Sequence, residues 1–157
     1  MIRFMPKIQL NSKTIARIGA IQTIYQYNNN PSADIHSLLM RIIEFYKDKN
    51  ITEDLGIGEE FKMKPSYNYL TQLVQYSYDN LTLINNEIIE LLDEKESFVV
   101  MPKLLLAILQ IAICEFKFFP ETPKKVVINE FTDIANDMLS QNEIGFVNSI
   151  LDKYSNK

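Results

Sequence analysis

Reactive side chains are scarce in this 157-residue sequence, and the scarcity removes whole classes of function. There is one cysteine, Cys114, inside an apolar run. It can form no disulfide framework within the chain, so a reducing compartment suits it. No cation adjoins it in sequence, so a packed thiol is expected rather than a nucleophile. The one histidine, His36, sits near the start of a helical pattern and reads as a surface residue. No glycine-rich phosphate loop and no metal-ligand spacing occur. The expectation is a protein that is not an enzyme, with no catalytic residue, metal or cofactor. The N-terminus lacks the long apolar region and small-residue cleavage site of a signal peptide. The longest apolar stretch, Leu104 to Phe119, is interrupted by Gln110, Glu115 and Lys117, too often for a membrane span. A cytoplasmic location without membrane contact is expected.

Glycine and proline are also few, four and six residues, which suits long helices joined by few tight turns. No stretch alternates apolar and polar residues convincingly, apart from a short candidate at Phe98–Met101. Net charge is -4, so the molecule as a whole is no general binder of polyanions. The cations are unevenly placed, however. Residues 1–30 carry Arg3, Lys7, Lys13 and Arg17 and no acid, whereas residues 31–119 carry eight cations against fourteen acids. Any attraction for nucleic acid is therefore local to the N-terminal segment.

What is abundant is helical periodicity. After a loose basic leader at residues 1–11, a helix is expected from Ser12, as its cap, to about Asn28, stopped by the Asn-Asn-Asn-Pro cluster. Others follow at about Ser32–Lys47, Ser66–Asn80, Leu81–Glu96 and Pro102–Phe118, with a loop over 48–65. The Pro102–Phe118 segment is apolar nearly all round, the mark of a helix enclosed by others. Glu115 within it needs a partner, since an unpaired buried carboxylate is costly. Thr122-Pro123 reads as a cap followed by a proline in the first helical position. The helix it opens carries Val127, Phe131, Ile134, Ala135 and Met138 at helical spacing. A last helix aligns Ile144, Val147, Leu151 and Tyr154, which puts Phe146 on the opposite, polar side with Asn142, Ser149 and Lys153. The fold class is all-α, about seven helices in a single domain over 1–157. An N-terminal helical part is expected at about 12–64 and a C-terminal bundle at about 66–154.

Two segments of that last third, KVVINEFTDIA and GFVNSILDK, resemble the C-terminal signature of the NusB family of bacterial transcription antitermination factors, typically KVAINEAIELA and KFVNGVLDK. The helix before them, ILQIAICEF, and the N-terminal Ala16-Arg17 with AIQTIYQ are also similar to that family's patterns. The resemblance covers roughly residues 13–28 and 100–154. It implies two packed helical subdomains and a protein that binds boxA-type single-stranded RNA jointly with NusE, a small-subunit ribosomal protein. The implied assembly also contains NusA, NusG and RNA polymerase and acts in ribosomal RNA transcription.

The residues support that expectation unevenly. Lys13 and Arg17 lie four apart near a helix N-terminus, where phosphate contact is favoured, and match the family's arginine-rich motif; an ordinary solvated face is the alternative. Thr14 and Ile15 stand where the family often has further arginines, so RNA affinity of the chain alone should be weak and only shallowly dependent on salt. Phe146 can stack on an unpaired base or pack against a neighbouring helix. Asn142 stands where the family commonly has an acid, and removes a charge that would repel phosphate. Tyr25 matches the tyrosine of the first-helix pattern, with half-burial as its alternative. Asn129 and Asn148, beside the apolar stripes, are expected to bridge helix ends. Two other readings remain. One is a helical protein-interaction adaptor without RNA affinity. The other is a relative of the NusB-like domain of RNA cytosine methyltransferases, which would need a catalytic domain beyond Lys157.

Overall fold

The structure, a computed structural model, describes residues 10–48 and 64–157. Arg3, Lys7 and most of the expected 48–65 loop lie outside the described residues. Within them the chain forms seven α-helices and no strand. They are α1 (Ser12–Asn29), α2 (Ile35–Lys47), α3 (Tyr67–Asp79), α4 (Leu81–Leu91), α5 (Lys103–Phe118), α6 (Lys124–Met138) and α7 (Gln141–Ser155).

The helix stops and starts follow local chemistry, with several shifts from the sequence reading. Asn11, not Ser12, caps α1: its Oδ1 accepts the Thr14 N–H at 2.9 Å. Asp34 caps α2 and moves its start to Ile35, leaving residues 30–33 as a turn. Helix α4 ends at Leu91 rather than Glu96, because Leu92 turns into the core at 6% exposure. A single 3-10 turn, Lys95–Phe98, follows, and Phe98–Met101 is turn rather than strand. Pro123 occupies the cap position of α6 and Lys124 the first helical one. Thr122 does not cap; its hydroxyl lies 3.3 Å from that of Tyr69. Ser140 and Glu143 form a reciprocal capping box at the start of α7.

Helix α5 is the axis of the molecule, as its all-round apolarity predicts. Every residue from Leu105 to Glu115 is buried. α1, α3, α4, α6 and α7 all pack on it. The short Leu139–Ser140 connection makes α6 and α7 an antiparallel pair. One continuous core runs from Ala16 of α1 to Leu151 of α7, with Phe131 the largest fully buried side chain. α1 and α3 approach closely at Gly19, where a Cβ would meet the Leu70 methyls at 3.1 and 3.3 Å. A backbone bond from Ser66 N–H to Ser12 O, 2.9 Å, ties the starts of these two helices together. Most polar side chains of the interior are matched, the Tyr67 hydroxyl and Asp137 Oδ2 being buried without a hydrogen-bond partner. Fully buried Gln110 of α5 donates to Asn85 of α4 and accepts from Asn28 of α1, both at 2.8 Å.

Candidate nucleic-acid interface

Four of the sequence-predicted residues, Lys13, Arg17, Asn142 and Phe146, fall at the two ends of α5. At its C-terminal end, the first turns of α1 lie against Glu115. The Arg17 guanidinium grips that carboxylate in bidentate fashion, Nε to Oε1 at 2.7 Å and a terminal nitrogen to Oε2 at 2.6 Å. Its other terminal nitrogen approaches Glu130 of α6 at 3.6 Å. Tyr69 donates its hydroxyl to Glu115 at 2.9 Å, and Thr14 donates to Glu130 at 3.1 Å. Arg17 is only 2% exposed. Burial pulls its pKa down, but the hydrogen bond to Glu115 and the charges of Glu115, Glu130 and Tyr69 outweigh it, and the net shift is upward.

The expected Lys13–Arg17 face is therefore divided. Lys13 is exposed, its ammonium 5.2 Å above the Tyr69 ring, while Arg17 is turned inward, 5.7 Å from the same ring. The reason is that α1 packs on α5 along the edge of this face, and the longer, forked side chain reaches the buried acid. The expected partner for Glu115 is thus a residue that the sequence assigned to RNA. Its signal was present: an acid inside the most apolar helix demands a cation, and Arg17 lies within the apolar pattern of α1, between Ala16 and Ala20. Tyr69 and Glu130, which complete the cluster, carried no sequence signal.

At the N-terminal end of α5, Asn142 and Phe146 of α7 border an open groove of about 270 Å³. Its other walls include Val100, Met101, Pro102 and Leu105. Asn142 is exposed; Phe146 is half-buried and packs against the core while one side faces the groove. The ring thus packs against neighbouring helices, one of the two sequence alternatives, and leaves one side on the groove. Val99 and Val100, missed in the sequence reading, stand 80% and 79% exposed just before the groove. Ten residues of α5 separate Leu105 from Glu115, so the two ends lie about 15 Å apart along the axis. Tyr25 is 38% exposed on the C-terminal half of α1. The structure does not bring Lys13, Tyr25 and Phe146 together into one pocket.

Other candidates resolve plainly. Cys114 is buried, with its Sγ 3.6 Å from the Leu73 carbonyl, and burial followed by the charge of Glu115 pushes its pKa up. His36 is exposed in the first turn of α2. Among the described residues no group of three or more His, Cys, Asp or Glu could hold a metal ion, and no helix is long and apolar enough to cross a membrane. Asn129 does not bridge helix ends; it is exposed on α6. Asn148, also exposed, accepts one long bond from Thr132 at 3.4 Å, across the α6–α7 pair.

Comparison with known proteins gives a consistent result. Residues 14–156 match the NusB family. The transcription antitermination protein NusB of Rickettsia massiliae is 42% identical over 149 residues, which is 95% of this chain and 94% of that protein. Its counterpart in Rickettsia bellii is 40% identical over 153 residues, 98% of this chain and 96% of that protein. Among solved structures, T. maritima NusB superposes with a TM-score of 0.74 at 21% identity, covering 96% of this chain and 94% of that one. A chain from the crystal structure of antitermination factors NusB and NusE in complex with dsRNA gives 0.72 at 17% identity, covering 92% and 96%. At such identities the structural likeness speaks to the fold.

Proposed function

The chain belongs to the NusB family, and from that membership we propose that it is a transcription antitermination factor, without catalytic activity, that binds boxA-type single-stranded RNA together with NusE. The observation that carries this reading is the match along nearly the whole chain to relatives named as transcription antitermination protein NusB. The solved structure that holds NusB, NusE and dsRNA together supports the choice of partners. Within a complex also containing NusA, NusG and RNA polymerase, in the cytoplasm, it would act on ribosomal RNA transcription.

The geometry suits shared binding. Lys13 offers one exposed cation. Phe146 and Asn142 offer a half-buried ring and an amide at the groove, and Tyr25 an exposed phenol. Each is a modest contact, and an RNA strand held jointly by two proteins needs only modest contacts from each. With Arg17 engaged by Glu115, few counterions are released when this chain meets RNA, and the salt dependence is shallow. The buried state of Arg17 also favours a second reading, a protein-binding adaptor without RNA affinity.

A titration separates them. BoxA-type RNA, a scrambled single strand and a duplex are titrated with the chain, with NusE and with both, across a range of salt. Preference for boxA RNA that appears only with both proteins is the expected outcome. Equal binding of scrambled and boxA RNA by the pair would overturn the boxA reading, and RNA binding no stronger than that of NusE alone would leave the adaptor.

A further inference from the structure

Arg17 is one of two cations that match the basic pattern, yet it faces inward. Resting on the RNA-binding reading above, we propose that Arg17 is a positioning residue that serves RNA binding without touching RNA. By neutralising Glu115 and Glu130 it leaves the Lys13 ammonium at the surface, free to take a phosphate.

The charges under the first turns of α1 do not balance without it. Glu115 is fully buried and the Glu130 side chain is 21% exposed, so two carboxylates face one guanidinium. Arg17 serves both because its planar fork offers donors in two directions, Nε and one terminal nitrogen to Glu115 and the other toward Glu130. Lys13 stands one turn earlier on α1, above the Tyr69 ring whose hydroxyl bonds to the same Glu115. Among the described residues no carboxylate lies within ion-pair distance of Lys13. It hovers over the cluster, kept from its acids by the ring and by the cation already there. If the guanidinium were removed, Glu115 would be a buried carboxylate without a counter-ion, which is strongly unfavourable. Lys13 is the nearest cation on that helix face, and its flexible four-carbon stem lets it swing inward. The pairing would repair the interior and empty the surface site.

The experiment measures affinity of the chain with NusE for a boxA-type RNA oligonucleotide. Lys13→Gln weakens binding roughly three- to tenfold, as for one exposed charge contact. Arg17→Met weakens it by the same factor, and the two together do no more, since both act through one phosphate contact. Arg17→Met combined with Glu115→Met and Glu130→Gln removes both acids along with their partner and restores wild-type affinity. Losses that multiply, with no restoration by removal of both acids, would show that Arg17 itself touches RNA and overturn the proposal. So would a folded Arg17→Met protein that binds like wild type. Should Arg17→Met not fold, the Arg17→Met, Glu115→Met, Glu130→Gln protein decides alone: wild-type affinity supports the proposal and weakened affinity overturns it. A crystal structure of Arg17→Met, or of Arg17→Gln, gives a readout free of RNA. The Lys13 ammonium should lie within about 4 Å of Glu115 or Glu130, and an ammonium still above the Tyr69 ring overturns the inference. If the wild-type pair shows no preference for boxA RNA, the proposed function fails while the position of Lys13 still tests this inference.

Discussion

The two ends of α5 solve opposite problems. At the C-terminal end a charge is drawn into the interior and everything nearby is committed to satisfying it: Arg17, Tyr69, Glu130 and Thr14 all point at Glu115 or at one another. At the N-terminal end the wall is apolar, and the side chains there are only partly used. Phe146 packs against the core on one side and borders an open groove on the other, with Val99 and Val100 projecting beyond it. The first end fixes how helices from distant parts of the chain meet. The second leaves an open, largely apolar groove. The ion-paired cluster and the groove are thus separated by about 15 Å along one helix.

That separation can be broken experimentally, and the largest effect belongs to the charged end. Glu115→Ala strands a buried guanidinium and should lower unfolding free energy by about 3–5 kcal/mol in denaturant titration. A loss below about 1 kcal/mol would mean that the cluster does not hold the fold. At the open end, Phe146→Ala should cost about 1–3 kcal/mol in RNA affinity and only about 1–2 kcal/mol in stability, since the ring is half-buried. A loss of stability above about 3 kcal/mol would place the ring in the core.

Alkaline pH distinguishes the ends further. Burial, reinforced by the charge of Glu115, pushes the Tyr69 phenol up to about 12 against the opposing Thr122 hydrogen bond and Arg17 charge. Burial likewise pushes Tyr46 up to about 12, against its hydrogen bond to Gln22. An unfolded tyrosine titrates near 10. The folded state holds these protons more tightly, so the contribution to stability is complete below about pH 10 and is lost as pH rises toward 12. Tyr69→Phe should remove part of that fall in a pH series of unfolding curves, and Phe146→Ala should leave its shape unaltered. The smallest effect is a gain. Gly145 lies inside α7 with open space where a Cβ would go, so Gly145→Ala should stabilise by about 0.4–1 kcal/mol in thermal unfolding. A destabilised Gly145→Ala protein would reveal a contact that the fold does not display.

The helices were legible in the sequence because their apolar residues recur with the helical period, and α5 was recognisable as central because it has no polar side. What a helical wheel cannot show is the partner across the fold. It placed Lys13 and Arg17 on one face correctly, yet only Arg17 meets an acid, and that acid is on another helix. It placed Phe146 opposite the stripe of α7, yet the space there is partly filled by Met101 and Leu105. Asn129 and Asn148 looked alike in sequence, and the structure leaves both on the surface, with a weak bond for one alone. The end of α4 was misjudged because Asp93 to Glu96 are compatible with a helix, while the turn is imposed by Leu92 seeking the core.

The Arg17–Glu115 contact joins residues 98 apart in the sequence, and this has a consequence for the rate at which the molecule comes apart. A pair so distant closes only after the costly loop between them has been drawn in, and its charges give up water only when the surrounding helices exclude it. It belongs to the late side of the folding barrier, where interactions restrain unfolding and scarcely touch refolding. Rapid-mixing kinetics of Arg17→Lys should show the loss almost wholly in the unfolding limb; a matching slowdown of refolding would place the pair in the folding nucleus instead. On that footing the buried ion pair is a latch, setting how long a folded molecule persists.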